Sequence, residues 1–440
     1  MPMAMAGTEI YVHTLAILQQ KAGHEAAVIT PHIEHYRPGM MQSLYKYDGI
    51  DVYQFLETAD PTNRQVHYGQ KKPEGLENFN ILIRELNPDV IHFHELNRSV
   101  GFTVEHVKQA KQFGAKIFLT MHLSSYSCNT NVLIYNNELC DGIIRERRCT
   151  MCAYKNIFHV PGSIIKPLSI LSIFLKKANV IKKIPDGKIK TLLSVPLTIS
   201  RIHADLKTLE KNVDQLISYS KWYRNILVAN GVANNKISVV AAALVTTVNT
   251  RIDKVSRKTK LPVKMVFIGR IQPTKGIHLI IEAVRSFLHG QVEIDIYGKA
   301  EDTNYYRKCI DDSKGIDSIN WKGELKREEV VSRLTHYDIF CLASTFSEMS
   351  PLVIQEAFAA GIPVLASKVY GNMEQIQHAV NGLLFEYNSV KSLKKQIQKL
   401  VDNLGVIQNL KNNIVIPKNF DIINEAYFKI YGGDRIINDE

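Results

Sequence analysis

Two glutamates, Glu348 and Glu356, stand within the segment STFSEMSPLVIQEAFAAGIPVLAS, residues 344–367. Ser350 can cap a helix there, with Pro351 at its first position, Gly361 at its stop and Pro363 barring its return. A helix opening at the carboxyl end of a strand aims its free N–H groups and positive dipole end at a ligand edge. A phosphate or sugar oxygen is favoured at such a place, and carboxylates accept from sugar hydroxyls. For either glutamate taken alone, a solvated loop residue or a helix-face charge is the plainer reading.

A second segment, FIGRIQPTKG (267–276), sets Arg270 and Lys275 in a loop between a strand and a helix. Arginine grips phosphate with two parallel bonds and lysine acts as a point charge. The bland alternative is two surface cations on a basic chain. His122 ends a strand-like run, FLTMH, and His94 ends another, DVIHFH. A lone histidine at a strand end is more often structural. Cys128, Cys140, Cys149 and Cys152 fall in one irregular stretch, and only the last two have C-x2-C spacing. Four thiolates suit a structural tetrahedral zinc, with no position left open for catalysis. Buried free cysteines or a redox pair fit as well. Cys309 and Cys341 read as isolated core residues.

These residues need elements to position them. Helices are expected at 10–21, 76–86, 103–112, 221–230, 277–288, 305–312, 326–335 and 352–360. Strands are expected at 25–30, 89–94, 116–121, 213–218, 237–240, 264–269, 292–298, 319–321, 338–344 and 363–367. Repeated strand–helix units with apolar strands make a parallel, doubly wound α/β sheet. The pattern fails at about 124–190, which reads as an insertion or an edge subregion. The polar stretch RIDKVSRKTK (251–260) reads as a linker. Two doubly wound lobes in tandem follow: an N-terminal lobe over 1–250 and a C-terminal lobe over 261–415. A last helix in 416–440 is expected to return to the first lobe.

The chain has 440 residues, 45% hydrophobic and 22% charged, which suits two or three globular domains and excludes disorder, collagen and coiled coil. Lys and Arg number 54 against 43 Asp and Glu, a net charge of +11, so anionic partners are expected. No nucleic-acid recognition motif accompanies the charge. MPMAMAGTEI lacks the basic start and apolar run of a secretory signal. The most apolar stretch, 160–181, is broken by Pro161, Lys166, Pro167, Lys176 and Lys177 and is too short to span a bilayer. Its lysines, with Lys182, Lys183, Lys188 and Lys190, suit an anionic membrane surface; an internal helix with a solvated basic end is the alternative. A cytoplasmic protein, with peripheral contact at the inner face of the membrane, is the expectation.

Taken together, these segments resemble the retaining, nucleotide-sugar-dependent glycosyltransferases of family 4, which have the GT-B fold of two Rossmann-like lobes. The resemblance rests on Gly269, Arg270, Lys275 and Gly276, on Glu348 with Glu356, on NGLLFE (381–386) and on the G-x-P-V step at 361–364. GTEIYVHTLAILQQKAGHEAAVIT, DVIHFHE and FLTMH carry it in the first lobe. It implies that Arg270 and Lys275 hold the donor diphosphate, that Glu356 accepts from the ribose and that Glu348 contacts the transferred sugar. Met349, Ser350, Pro351 and Leu352 would present backbone to sugar and phosphate. His122 would face the donor sugar, His94 would be structural, and the loop at Gly7 would approach phosphates or acceptor. Some members carry similar cysteines. No metal is implied for catalysis. The implied reaction transfers a sugar with retention to a glycan or lipid-linked acceptor, in surface polysaccharide, lipopolysaccharide or glycolipid synthesis. A sugar-nucleotide 2-epimerase of the same fold, or a truncated donor-binding non-enzyme, is the alternative. Family members carry an apolar strand before the glycine loop, whereas this chain opens MPMAMAGTE. A missing first strand, a slot between the strands at 25–30 and 89–94, and low stability are therefore expected.

Overall fold

The computed structural model describes residues 7–32, 42–56, 64–99, 101–241, 259–417 and 420–432. The chain forms two compact units. One comprises Met1–Leu133, Cys140–Val240 and Asn424–Glu440; the other comprises Ile134–Leu139 and Ala241–Ile423. Most of the expected linker, 251–258, lies outside the described residues.

The first unit contains β1 (Ala27–His32), β2 (Gln42–Tyr47) and β3 (Ile50–Leu56), then β4 (Val90–His94) and β5 (Lys116–Met121). A two-stranded hairpin of β6 (Ile134–Tyr135) and β7 (Glu138–Leu139) follows, and clusters with the second unit. Next come β8 (Gln215–Ser218) and β9 (Ile237–Val239). β4, β5, β8 and β9 form a four-stranded sheet in that order, parallel throughout. β1, β3 and β2 form a separate sheet, in which β2 runs antiparallel to β3. The β2–β3 hairpin is unforeseen, because its alternating polar residues give no continuous apolar run. Among the described residues no strand joins β1 to β4. The strand expected to be lacking concerns residues 1–6, which lie outside them.

The stretch 124–190 is not irregular throughout. It carries the helices Glu146–Asn156 and Gly162–Lys177, and Val195–Asn212 follows. These pack on a small core of Ala153, Tyr154, Val195, Ile199 and Ile202. The helix Phe420–Tyr431 ends in the first unit, where Tyr427 is fully buried.

The second unit holds β10 (Val263–Ile268), β11 (Val292–Tyr297), β12 (Ile319–Gly323), β13 (Ile339–Leu342), β14 (Val364–Ser367) and β15 (Gly382–Phe385). Their order is β12-β11-β10-β13-β14-β15, all parallel. Order reverses between β10 and β13, and such a switch point is where open α/β sheets bind ligands. VKMVFI, IFCL and VLAS are continuous apolar runs because both faces of the sheet are covered. Phe267, Phe340, Leu365 and Phe385 are wholly buried in one core. The helix expected over 277–288 stops at Val284, and the one expected over 326–335 shortens to Val330–Leu334 after a 3-10 turn.

Candidate functional site

Both loops of interest leave the switch point of the second unit. After β10, Pro273–Lys275 forms a 3-10 turn and Gly276 takes a left-handed conformation, φ +67. A Cβ on Gly276 would lie 1.9 Å from the carbonyl oxygen of Ala343. Only glycine fits, and the fit presses this loop against the end of β13. Thr345 N–H donates to the Thr274 carbonyl at 2.8 Å, tying the two loops together. Lys275 is thereby set against Glu348: Nζ donates to Oε1 at 2.6 Å, with the side chains only 14% and 8% exposed. Ser344 Oγ donates to the same oxygen at 2.6 Å. Lys275 Nζ also sits 5.0 Å from the centre of the Phe346 ring. On the far side, a Cβ on Gly371 would come 2.1 Å from the Glu348 carbonyl oxygen, so the 348–349 backbone is held closely there too.

Three expectations for this site need correction. The helix begins at Leu352, not Pro351; Pro351 takes the cap position without a side-chain cap bond. Ser350 therefore does not cap it, and its Oγ accepts from Gln375 Nε2 at 3.3 Å. Arg270 does not join Lys275: it is 56% exposed, with Nη1 3.3 Å from Glu301 Oε2. Distance from the buried pair leaves its long side chain to a surface carboxylate. Glu356 is not a helix-face charge in water but is buried, and burial raises its pKa against the opposing pull of Arg327. Arg327 Nη2 lies 3.7 Å from Glu356 Oε1. Arg327 went unnoticed because nothing local marks it. Ser344 stood within the quoted motif and its partner did not show.

The first unit gathers the two histidines. His94 Nδ1, at the end of β4, and His122 Nε2, just past the end of the neighbouring β5, are 3.2 Å apart. The Tyr219 hydroxyl lies 3.0 Å from His122 Nδ1. Desolvation holds His122 well below the usual imidazole range, helped by the charge of His94, and lowers His94 to about 3. Both are neutral at pH 7. Behind them runs a buried hydrogen-bonded chain. Tyr11 OH donates to Tyr427 OH at 2.9 Å, and Tyr427 OH is 3.1 Å from Thr120 Oγ1. Thr120 Oγ1 lies 2.8 Å from His92 Nε2, whose Nδ1 is 2.6 Å from Tyr431 OH. Period and motif give no sign of this chain, since its members come from four elements. Glu95 was also missed. It bends the chain after β4 in a left-handed conformation, φ +66. Its Oε2 accepts from the N–H groups of His122 and Leu123 at 2.8 and 3.0 Å. Burial pushes its pKa up to about 7. A cavity of about 450 Å³ opens beside it, lined among others by Glu9, His94, Glu95, Arg98 and Asp205.

Gly7 is not in a loop. It opens the helix Gly7–Lys21, with open space where a Cβ would point. The four clustered cysteines are free thiols. They lie near enough to feel one another's charge, and burial raises Cys152 to about 11. Among the described residues, no three of His, Cys, Asp and Glu stand in an arrangement that holds a metal ion. Polar neighbours of the Sγ atoms include Thr130 Oγ1, 3.2 Å from Cys128, and Asn156 Nδ2, 3.3 Å from Cys152.

Residues 248–414 match the profile of the group 1 glycosyl transferases. A solved structure of Anabaena HepE with UDP superposes on 97% of this chain and 96% of its own, at TM-score 0.60 and 14% identity. The fold is GT-B. Among curated relatives, the chain is 25% identical over 242 residues to an uncharacterized glycosyltransferase of Methanocaldococcus jannaschii, covering 53% of this chain. It is 27% identical over 186 residues, 39% of its length, to the Escherichia coli UDP-Gal:alpha-D-GlcNAc-diphosphoundecaprenol alpha-1,3-galactosyltransferase. The matches span 61% and 45% of those relatives' own lengths. On the GT-B framework, Lys275 and Glu348 stand at the sheet's switch point, with Glu356 one helix turn inside.

Proposed function

We propose that this chain is a retaining glycosyltransferase of family 4 that moves a sugar from a nucleoside-diphosphate sugar to a glycan or lipid-linked acceptor. The observation that carries it is the buried Lys275–Glu348 pair beside the start of the helix Leu352–Ala359. A lysine kept out of water by its own carboxylate is poised to share its charge with a diphosphate. As the glycosidic C–O bond breaks, the electron pair leaves with that diphosphate. Lys275, Arg270 swung from Glu301, and backbone N–H groups of Met349, Ser350 and Leu352 would stabilise the growing negative charge. Glu348 would accept from a hydroxyl of the transferred sugar, and Glu356 from the ribose. The acceptor oxygen bonds the same face of the sugar carbon and passes its proton to the departing phosphate, which retains configuration. His122, neutral and oriented by Tyr219, can donate to a sugar hydroxyl. The cavity beside Glu95 and Asp205 offers carboxylates to the hydroxyls of an acceptor.

The named relatives are transferases, and one acts by its name on a diphosphoundecaprenol-linked sugar. That supports a lipid-linked acceptor in surface polysaccharide, lipopolysaccharide or glycolipid synthesis, at the cytoplasmic face of a membrane. The relatives named above bear glycosyltransferase names, which does not favour the epimerase alternative. Melting curves with UDP-, GDP-, ADP- and dTDP-sugars test donor binding, because a ligand of the folded state raises its melting temperature. Product analysis then separates a new glycosidic bond from an isomerised donor. No stabilisation by any of the four sugars would overturn the reading.

A further inference from the structure

The helix Gly162–Lys177 is turned inside out. Its inner face carries Ile165 and Leu168, which pack on the small core of Tyr154, Val195 and Ile199. Ser169 and Ser172 complete that face, each 0% exposed. Their hydroxyls donate to the helix's own carbonyls, Lys166 O at 2.7 Å and Ser169 O at 3.1 Å. The outer face shows the reverse chemistry. Ile164 is 50% exposed, Ile170 55%, Leu171 49% and Phe174 65%. Spacings of three, four and seven put these on one stripe of the helix. Burying serines while leaving a phenylalanine in water inverts the usual partition. A contiguous apolar stripe of this kind marks an interaction surface.

The rim of the stripe says what covers it. Lys166 and Lys177 on the helix, and Lys182 and Lys183 in the turn that follows it, are all exposed, as is Val180 between the helix and that turn. No Asp or Glu occurs from residue 157 to residue 185. Lys176, the one lysine of this helix that turns inward, pairs with Glu146 and Ser200 instead. A second copy docking by the same face would set lysines against the same lysines, since a two-fold interface pairs a patch with itself. An acidic, apolar layer suits both parts. We propose that this helix lies on an anionic phospholipid bilayer, with Ile164, Ile170, Leu171 and Phe174 among the upper acyl chains and the lysines at the headgroup phosphates. No helix among the described residues is long and apolar enough to cross a membrane, so the contact is a docking and not a span. Lysine stems reach along apolar surface while their ammonium groups stay with the phosphates. The inference goes beyond the donor reading and does not require it.

The test is co-sedimentation of the full chain with vesicles of phosphatidylcholine mixed with phosphatidylglycerol, against phosphatidylcholine alone. The chain should sediment with the mixed vesicles only, and raised salt should release it. Two double variants, Ile170→Ser with Phe174→Ser and Lys182→Glu with Lys183→Glu, should each weaken binding on the order of tenfold or more. All four side chains are exposed, so circular dichroism and the melting shift with donor sugars should stay as in the parent. A failure of the donor reading alone would abolish that shift and leave vesicle binding intact. Equal sedimentation with neutral vesicles, no sedimentation with mixed ones, or unchanged binding in both variants would overturn the proposal. So would loss of a dimer, without vesicle binding in the parent, on changing Phe174.

Discussion

Lys275 and Glu348 make a pair whose two functions can be pulled apart. Removing one partner of a buried pair leaves a charge out of water, at a cost of roughly 3–5 kcal/mol. Lys275→Met alone should therefore lower the unfolding free energy of the second unit by about that much, read by urea denaturation. Adding Glu348→Leu should restore most of the loss, because no charge is then stranded. Turnover should not return in the double variant, since neither diphosphate nor sugar finds its partner. Glu348→Gln is the cleaner single change. It keeps the acceptor for Ser344 Oγ and Lys275 Nζ, and should reduce transfer by about 10²-fold with the fold intact. Near parental turnover in Glu348→Gln would remove Glu348 from the reaction.

The last helix and the two histidine strands depend on each other. Tyr427 is reached by hydrogen bonds from Tyr11 and Thr120, 416 and 307 positions away. Gln19 Nε2 donates to Asn424 Oδ1 of the same helix at 2.6 Å. Tyr427→Phe keeps the ring and removes the shared oxygen, so Tyr11 and Thr120 each lose one buried hydrogen bond. A loss of about 1–3 kcal/mol is expected. Because Tyr11 packs edge-on to His122 and Tyr219, with ring centres 5.7 and 5.3 Å away, the loosened helix should also disturb His122. Two-dimensional NMR of the histidine rings would show it. Unmoved His122 resonances in Tyr427→Phe would make the helix a mere cover.

At the scale of the molecule, the two units differ in what acid does to them. Burial lowers His67 to about 4, His94 to about 3 and His106 to about 3, and holds His92 and His122 well below 6.5. All five lie in the first unit. The unfolded chain takes up their protons near pH 6.5 and the folded one does not. The stability they confer is whole above that pH and falls as pH drops toward 3. Glu95 runs the other way. Its folded pKa of about 7 exceeds 4.5, so its share is complete below pH 4.5 and lost as pH rises through 7. Asp205, raised to about 6 by burial, acts in the same direction as Glu95, and five histidines outweigh these two carboxyls on the acid side. The first unit should therefore unfold first on acidification. The chain has two tryptophans, Trp222 in the first unit and Trp321 in the second. Trp321→Phe leaves a fluorescence report of the first unit, and Trp222→Phe one of the second. The first should change at a higher pH; coincident transitions would count against the argument.

Much of the second unit was legible in its residues alone. Apolar runs of strand length, separated by helical period, define β10 to β14, because a sheet covered on both faces needs no polar alternation; β15 was not read from the sequence. Gly276 announced a tight loop, and Arg270, Lys275, Glu348 and Glu356 were all singled out by type and spacing. Spacing could not say that Lys275 meets Glu348, 73 positions on, while Arg270 turns away to Glu301. That was decided by strand order, which brings the ends of β10 and β13 together. In the first unit less could be read. The serines and isoleucines of 162–177 carry a helical period, but which face meets the core depends on the helices Glu146–Asn156 and Val195–Asn212. In sequence the four cysteines suit a metal site, buried free thiols or a redox pair equally, because a shared ion needs sulfur atoms aimed at one point, and only folded geometry sets that aim. The chain of Tyr431, His92, Thr120, Tyr427 and Tyr11 had no local signature, since each contact spans elements far apart in sequence. Periodicity encodes what a residue does with its near neighbours; partners across the fold belong to topology.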